Sequence, residues 1–420
     1  MKQIKQFIKK ELDKNNKLVK HGIVIFAASA IANLINYLFH LYMGRALGPK
    51  DYGIFASLLS ISAIIIFSAG TVQTAMAKFV SEFKGKNLYG KIKTILIKFS
   101  VRLSLYAGIF LALLSLFSRQ ISSFLNINSP YLIVLIFSFC WFSTVLLSIN
   151  GIANGLQKFG WLGLNNIFGS FAKLALGILL VYAGLGVAGA VLALNISTIL
   201  AIAIAIVPVA FLLKINGDGI NHSEIYRYFI PVFISTALLM TLINVDLILV
   251  KHFFDELNSG YYAAASMIGK AIWFASGTLP FVMFPKVSEQ NAKSRDSSKI
   301  MKTTLFYVFL ISFIGIIVYF VAPTFITNLF YGSRYKINGL VGYFGLAMAL
   351  FSMSNVLAMY NLATGKTKFI YIIGLFVLLE IAAIFLFHSS ILDVIKIITI
   401  ANALLFASLM FYNKKEFGIG

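Results

Sequence analysis

Three observations predict an all-α polytopic membrane protein. The 420-residue chain is 60% hydrophobic and only 12% charged, with a mean hydropathy of +0.90. Apolar runs of about 20 residues, the length a helix needs to cross a bilayer core, recur along it. These runs are continuous rather than alternating. Backbone polar groups at membrane depth must pair within one helix or around a closed barrel, and continuous runs favour the helix.

The elements follow in order. Residues 1–21 open with MKQIKQFIKKELDKNNKLVK, which carries seven lysines and no apolar run, so they are not read as a cleavable signal. Ile4, Phe7, Ile8 and Leu12 fall at helical spacing and predict a basic amphipathic helix on the inner membrane surface. A first lobe, 22–213, holds spans 22–43, 52–76, 95–117, 131–153, 161–183 and 187–213. Arg45 with Lys50, the lysines of 78–98, Arg119, Lys158 and the tight turn AGLG separate them in turn. A linker at 214–227 carries Lys214 and Arg227. The second lobe, 228–412, holds spans 228–250, 260–284, 303–322, 340–362, 369–388 and 391–412, and a tail of 413–420 follows. Twelve spans in two lobes of six are expected.

The lobes read as copies of each other. Shifted by 207 residues, segment 53–82 meets 260–289 with eleven of 30 positions identical, among them Gly70-Thr71 against Gly277-Thr278. Because six spans is an even number, both copies keep one orientation, and the expectation is a parallel repeat with a binding site between the halves. Alternate connections hold 25 Lys and Arg against 6 in the other set, which predicts that both termini are cytoplasmic and the protein sits in the plasma membrane. The net charge of +21 is thereby assigned to topology and anionic lipid rather than to nucleic acid. Cys140 is the one cysteine, so an intrachain disulfide and a cysteine metal cage are excluded. No Gly-x-x-x-x-Gly-Lys-Ser/Thr loop occurs, and the polar connections are too short for a nucleotide-binding or glycosyltransferase domain, so no enzymatic activity and no cofactor are expected.

Ionisable groups at membrane depth are costly and face cavities or partners. Lys270 lies halfway along the eighth span with Trp273 three residues on; its ammonium could receive a lipid pyrophosphate or acidic sugar, or fix helix packing in an ion pair. Asn33, Asn36, Tyr37 and His40 form one polar stripe on the first span, suited to sugar hydroxyls or to helix–helix contact, and His40 has no second ligand for a metal there. On the seventh span Thr241, Asn244 and Lys251 share one side, while Asp246 points nearly opposite Asn244; a structural partnership of Asp246 with Lys251, Arg45 or a nearby loop amide is one reading of it. Lys173 and Glu380 are repeat mates of opposite charge. Gln73 stands where the second copy has Pro280, and Pro231, Pro280 and Pro285 predict kinks in that copy.

MGRALGPKDYGIFASLLS (43–60) resembles the first loop and second helix of polysaccharide, or O-antigen-type, flippases. VDLILVKHFFDELNSGYYAAASMIGK (245–270) resembles their seventh helix, outer loop and eighth helix. These proteins belong to the multidrug/oligosaccharidyl-lipid/polysaccharide (MOP) exporter superfamily, which also contains the MATE transporters. The resemblance implies that a polyprenyl-linked oligosaccharide is flipped from the inner to the outer leaflet by alternating access, in company with a glycan polymerase or glycosyltransferase. It also implies that the first, second, seventh and eighth helices line a cavity, which would collect Asn33, Asn36, Tyr37, His40, Gln73, Thr241, Asn244, Lys270 and Trp273. Asp246 matches the acidic position of the family's seventh helix; with Lys173, Glu380 and Arg45 it is the candidate for H+ or Na+ coupling or for a structural charge. Two alternatives stay open: a MATE-like drug or cation antiporter, and a peptidoglycan-precursor lipid flippase. The latter resemblance implies fourteen helices and cavity arginines, and this sequence shows neither.

Overall fold

The computed structural model describes the backbone of residues 2–219 and 222–417, and the side chains of residues 27–219, 230, 232–280, 282–291 and 293–417. The apolar face expected on residues 4–12, and Pro231, lie outside the described side chains. Among the described residues the chain is all helix and turn, with no strand. Among the described residues nine helical stretches are long and apolar enough to cross a membrane, and ten if one bent pair counts as a single span. Two of the nine, 59 and 56 residues long, would extend about 85 Å at 1.5 Å per residue, far beyond a bilayer core of about 30 Å. Each is too long to be a single crossing. The chain is a multi-pass membrane protein.

The breaks have local causes. Helix α1 (Lys2–Gly85) is interrupted at Gly48, whose φ of 73° and ψ of 173° suit a residue without a Cβ, and Pro49 follows with no N–H to continue the ladder. The AGLG turn interrupts the other long stretch, with Gly184 at φ 87°. Helices α2 (Tyr89–Thr94), α3 (Ser100–Leu116), α4 (Ser118–Phe124), α5 (Pro130–Gly155), α6 (Phe159–Leu180) and α7 (Gly186–Ile206) complete the first half. In the second, α8 (His222–Leu242) and α9 (Val245–Phe253) meet at a 40° bend across residues 243–244. α10 (Glu256–Ser276) gives way to α11 (Thr278–Ala292) at Gly277. Pro280 can donate no bond to the carbonyl of Ser276, so the interruption falls where the sequence predicts a kink. α12 (Ser298–Val321), α13 (Pro323–Phe330), α14 (Asn338–Ala363), α15 (Phe369–Leu386), α16 (Ile391–Tyr412) and α17 (Lys414–Phe417) follow.

The chain divides into two compact units. The first comprises residues 1–43, 69–117 and 134–229, and the second 44–68, 118–133 and 230–420. In the first unit an apolar core joins Val72, Met76 and Val80 to Ile92, Ile95, Ile152, Leu156, Val209 and Leu212. Its outer surface is apolar too: Leu105, Tyr106, Ile109 and Leu113 of α3 are each more than half exposed, as lipid-facing side chains are. The second unit is organised around α14, whose central window is 78% buried; Phe344 and Phe351 on it are fully enclosed.

Within the second unit the short segment after span one is locked to residues far along the chain. A Cβ on Gly260 would stand 1.9 Å from the Pro49 carbonyl oxygen, so this contact needs glycine. The Tyr52 and Tyr331 hydroxyls are 2.9 Å apart and buried, and the Tyr335 hydroxyl donates to the Gly44 carbonyl at 2.6 Å.

Candidate substrate and ion site

The predicted site residues fall into two groups, one in each unit. In the first unit Asn33 is exposed on α1, while Asn36, Tyr37 and His40 are half-buried, as is Gln73 further along the same helix. The Asn36 carbonyl oxygen is buried without a hydrogen-bond partner, which leaves an acceptor facing inward on the stripe. Lys173 of α6 is half-buried and reaches this helix: its Nζ lies 5.1 Å from the centre of the Phe39 ring. A cation over a ring face is held by the ring quadrupole without any counter-ion.

The second unit gathers the charges. The break between α8 and α9 supplies the geometry, since Asn244 sits in the turn and Asp246 in the first turn of α9. Lys270 Nζ donates to Asn244 Oδ1 at 3.0 Å, and Asn244 Nδ2 donates back to the Met240 carbonyl at 2.8 Å, which holds the amide in place. The Tyr262 hydroxyl, two turns before Lys270 on α10, donates to Asp246 Oδ2 at 2.7 Å. Asp246 and Glu380 are each 1% exposed and Lys270 is 9% exposed. Lys270 makes no ion-pair contact with Asp246 among the described residues; the two act on each other through space, as do the Asp246 and Glu380 carboxyls. Asp246 Oδ1 and both Glu380 carboxyl oxygens have no hydrogen-bond partner. Two carboxyls and one ammonium, all charged, would carry one surplus negative charge in a buried site. A proton or one monovalent cation balances it.

Other residues settle into different roles. Trp273 packs against Phe67 and Phe351, with ring centroids 6.3 and 5.9 Å away. Thr241 donates to its own helix at the Ala237 carbonyl, 2.8 Å away. Among the described residues no group of three or more His, Cys, Asp or Glu could hold a metal ion.

Two sequence expectations are corrected. Asp246 does not bond to Lys251 or Arg45: beyond the helix break its carboxylate accepts from Tyr262, while Asn244 accepts from Lys270. Arg45 instead caps α13, donating from Nε to the Phe330 carbonyl at 3.0 Å and from Nη2 to those of Leu329 and Asn328 at 2.6 and 3.4 Å. A guanidinium on unsatisfied C-terminal carbonyls neutralises the negative end of the helix, so Arg45 is a structural charge. Tyr262 was missed, hidden by its place among the small residues of GYYAAAS.

The same fold occurs in solved structures of low sequence identity. An inward-facing multidrug resistance MATE family transporter of the MOP superfamily superposes with a TM-score of 0.72 at 15% identity, over 94% of this chain and 98% of that one. The lipid II flippase MurJ in an inward closed conformation gives 0.72 at 16% identity, over 92% and 88%. A MOP superfamily transporter from Pyrococcus furiosus gives 0.63 at 16%, over 95% of each chain. No curated protein matches the chain in sequence. The signature of the family described as polysaccharide biosynthesis protein, however, matches residues 18–289, well over half of the chain. A multi-pass helical fold shared with MOP superfamily transporters and this match lead to one conclusion: the chain belongs to the polysaccharide biosynthesis protein family.

Proposed function

We propose that the protein flips a polyprenyl-linked oligosaccharide from the inner to the outer leaflet of the plasma membrane by alternating access, with both termini cytoplasmic. The observation that carries this reading is the family match over 18–289, because it selects glycan assembly from the many cargoes a MOP fold can serve. The buried Lys270 ammonium supports it as a receptor for the phosphate or pyrophosphate of the carrier, and the amides of Asn33 and Asn36 suit sugar hydroxyls. The polyprenyl tail stays in lipid. A glycan polymerase or glycosyltransferase would supply or consume the cargo.

In the same proposal Asp246 and Glu380 take up the coupling cation, a proton or Na+. Their unpartnered oxygens and surplus charge are the reason. That same carboxyl pair favours the second reading, a drug or cation antiporter, in which it would bind cationic cargo directly. Native mass spectrometry of the gently purified protein separates the two. A co-purifying polyprenyl phosphate or pyrophosphate glycan is the expected result. Saturable adducts of cationic drugs without any glycolipid would overturn flipping in favour of antiport.

A further inference from the structure

The second unit has another polar pocket, away from the Lys270 cluster. It has a volume of about 670 Å³ and is lined by Lys50, Asn126, Asn128, Lys251, Asp255 and Glu256, with Phe254 and Leu257. Most of its polar groups are already engaged. Asp255 accepts from the Asn258 backbone N–H at 2.6 Å and from the Asn258 amide at 3.0 Å, capping α10. Glu256 pairs with Lys50 at 3.5 Å, and the Asn126 amide donates to the His252 carbonyl at 2.8 Å. Lys251 is different. It is 1% exposed, and its Nζ has no hydrogen-bond partner.

An ammonium with three donors and no acceptor is expensive to bury, and a packed apolar side chain of the same length would cost less. The carboxylates of Glu256 and Asp255 offset part of the charge from a distance, but neither bonds to it. What the pocket lacks is an acceptor that can reach Nζ. A phosphate or carboxylate beside the Asn128 amide would meet that need once the Lys251 side chain, whose Nζ is closed to solvent in this structure, turns into the pocket, and a charge-assisted bond of this kind is about twice as strong as a neutral one. The surrounding carboxylates argue against a multiply charged anion and for a single oxyanion.

We propose that this pocket binds one oxyanion, a phosphate ester or sugar carboxylate, on Lys251 with help from Lys50 and Asn128. The charge bias of the connections places the pocket on the outer side, where an oxyanion could belong to a phospholipid headgroup or to a glycan. The proposal is independent of the flipping reading, since none of its residues belongs to the Lys270 cluster.

The test is thermal unfolding of the full chain in detergent at constant ionic strength, with chloride as the reference salt. The probes are the singly charged dimethyl phosphate, glucuronate, and phosphatidylglycerol against phosphatidylcholine. A ligand held only by the folded state raises Tm, here by about 2 °C at tenfold over its Kd. Lys251→Gln should weaken that probe by about tenfold, the scale of one hydrogen bond to a charged group. A rise with dimethyl phosphate or glucuronate identifies a soluble or glycan-borne oxyanion; a rise with phosphatidylglycerol alone identifies a headgroup. No rise with any probe, or an equal rise in Lys251→Gln, overturns the proposal. Should Lys251→Gln fail to fold, Asn128→Ala on the exposed rim serves instead: a weakened response supports the site, and an unchanged response overturns it.

Discussion

Lys173 and Lys270 are both lysines within membrane-spanning helices, and the protein accommodates them by opposite means. Lys173, in the first unit, rests over the Phe39 ring. Lys270, in the second, bonds to Asn244 and lies in the field of Asp246, which in turn feels the buried Glu380 carboxylate. The first solution closes locally, because the ring supplies the attraction and no anion is involved. The second leaves loose ends: three carboxyl oxygens without hydrogen-bond partners and a charge balance that one proton or cation would change. A cation held by a ring has little to exchange with a passing ligand. A cation held among carboxyls can be released or recruited as their charge changes, which is why transport chemistry is assigned to the second unit.

The largest expected effect comes from Lys270→Ala. It removes the ammonium, its hydrogen bond to Asn244 and its attraction on the buried Asp246. Glycolipid transport in reconstituted vesicles should fall by at least about tenfold, while size-exclusion and circular dichroism profiles report whether the helices persist. Wild-type transport by a folded variant would remove Lys270 from the site and erase the contrast with Lys173.

Next come Glu380→Gln and Asp246→Asn, which keep shape and remove charge. If the pair takes up the coupling cation, each variant should lose most of the dependence of transport on the proton or Na+ gradient, while cargo binding changes less than it does in Lys270→Ala. Transport that keeps its full gradient dependence in both variants would show that the carboxyls only balance Lys270. The two substitutions are expected to be non-additive, since the carboxylates already repel each other.

The sequence made some of this legible and hid the rest for physical reasons. Long apolar runs, the AGLG turn and Pro280 disclose helices and their interruptions, because hydropathy and backbone chemistry are local. Lys270 stands out because a charge in the middle of an apolar run needs an explanation wherever it points. Its bond to Asn244 was hidden: Asn244 sits in a 40° bend across residues 243–244 with neither proline nor glycine to mark it. Arg45 shows a different limit. Its acceptors lie 283 to 285 residues away, a distance over which spacing carries no information. For Asp246, the family resemblance marked a position and the structure supplied its partner, Tyr262.

The smallest expected effect tests the quiet half of the comparison. Lys173→Met keeps most of the side chain's length and removes its charge, so transport should stay within about twofold of wild type if Lys173 acts only through packing. The energetic link to Phe39 is measurable in a double-mutant cycle with Phe39→Leu, read by denaturant unfolding in mixed micelles. A cation held on a ring away from bulk water should give a coupling of about 0.5–2 kcal/mol. A coupling near zero would mean that the ring is only a neighbour. A tenfold loss of transport in Lys173→Met would be more consequential: Lys173 would then belong to the transport machinery, and the chemistry could no longer be assigned to the second unit alone. Matched substitutions at the two lysines, assayed in one vesicle preparation, decide between these outcomes. A charged site in one unit requires Lys270→Ala to be costly and Lys173→Met not to be.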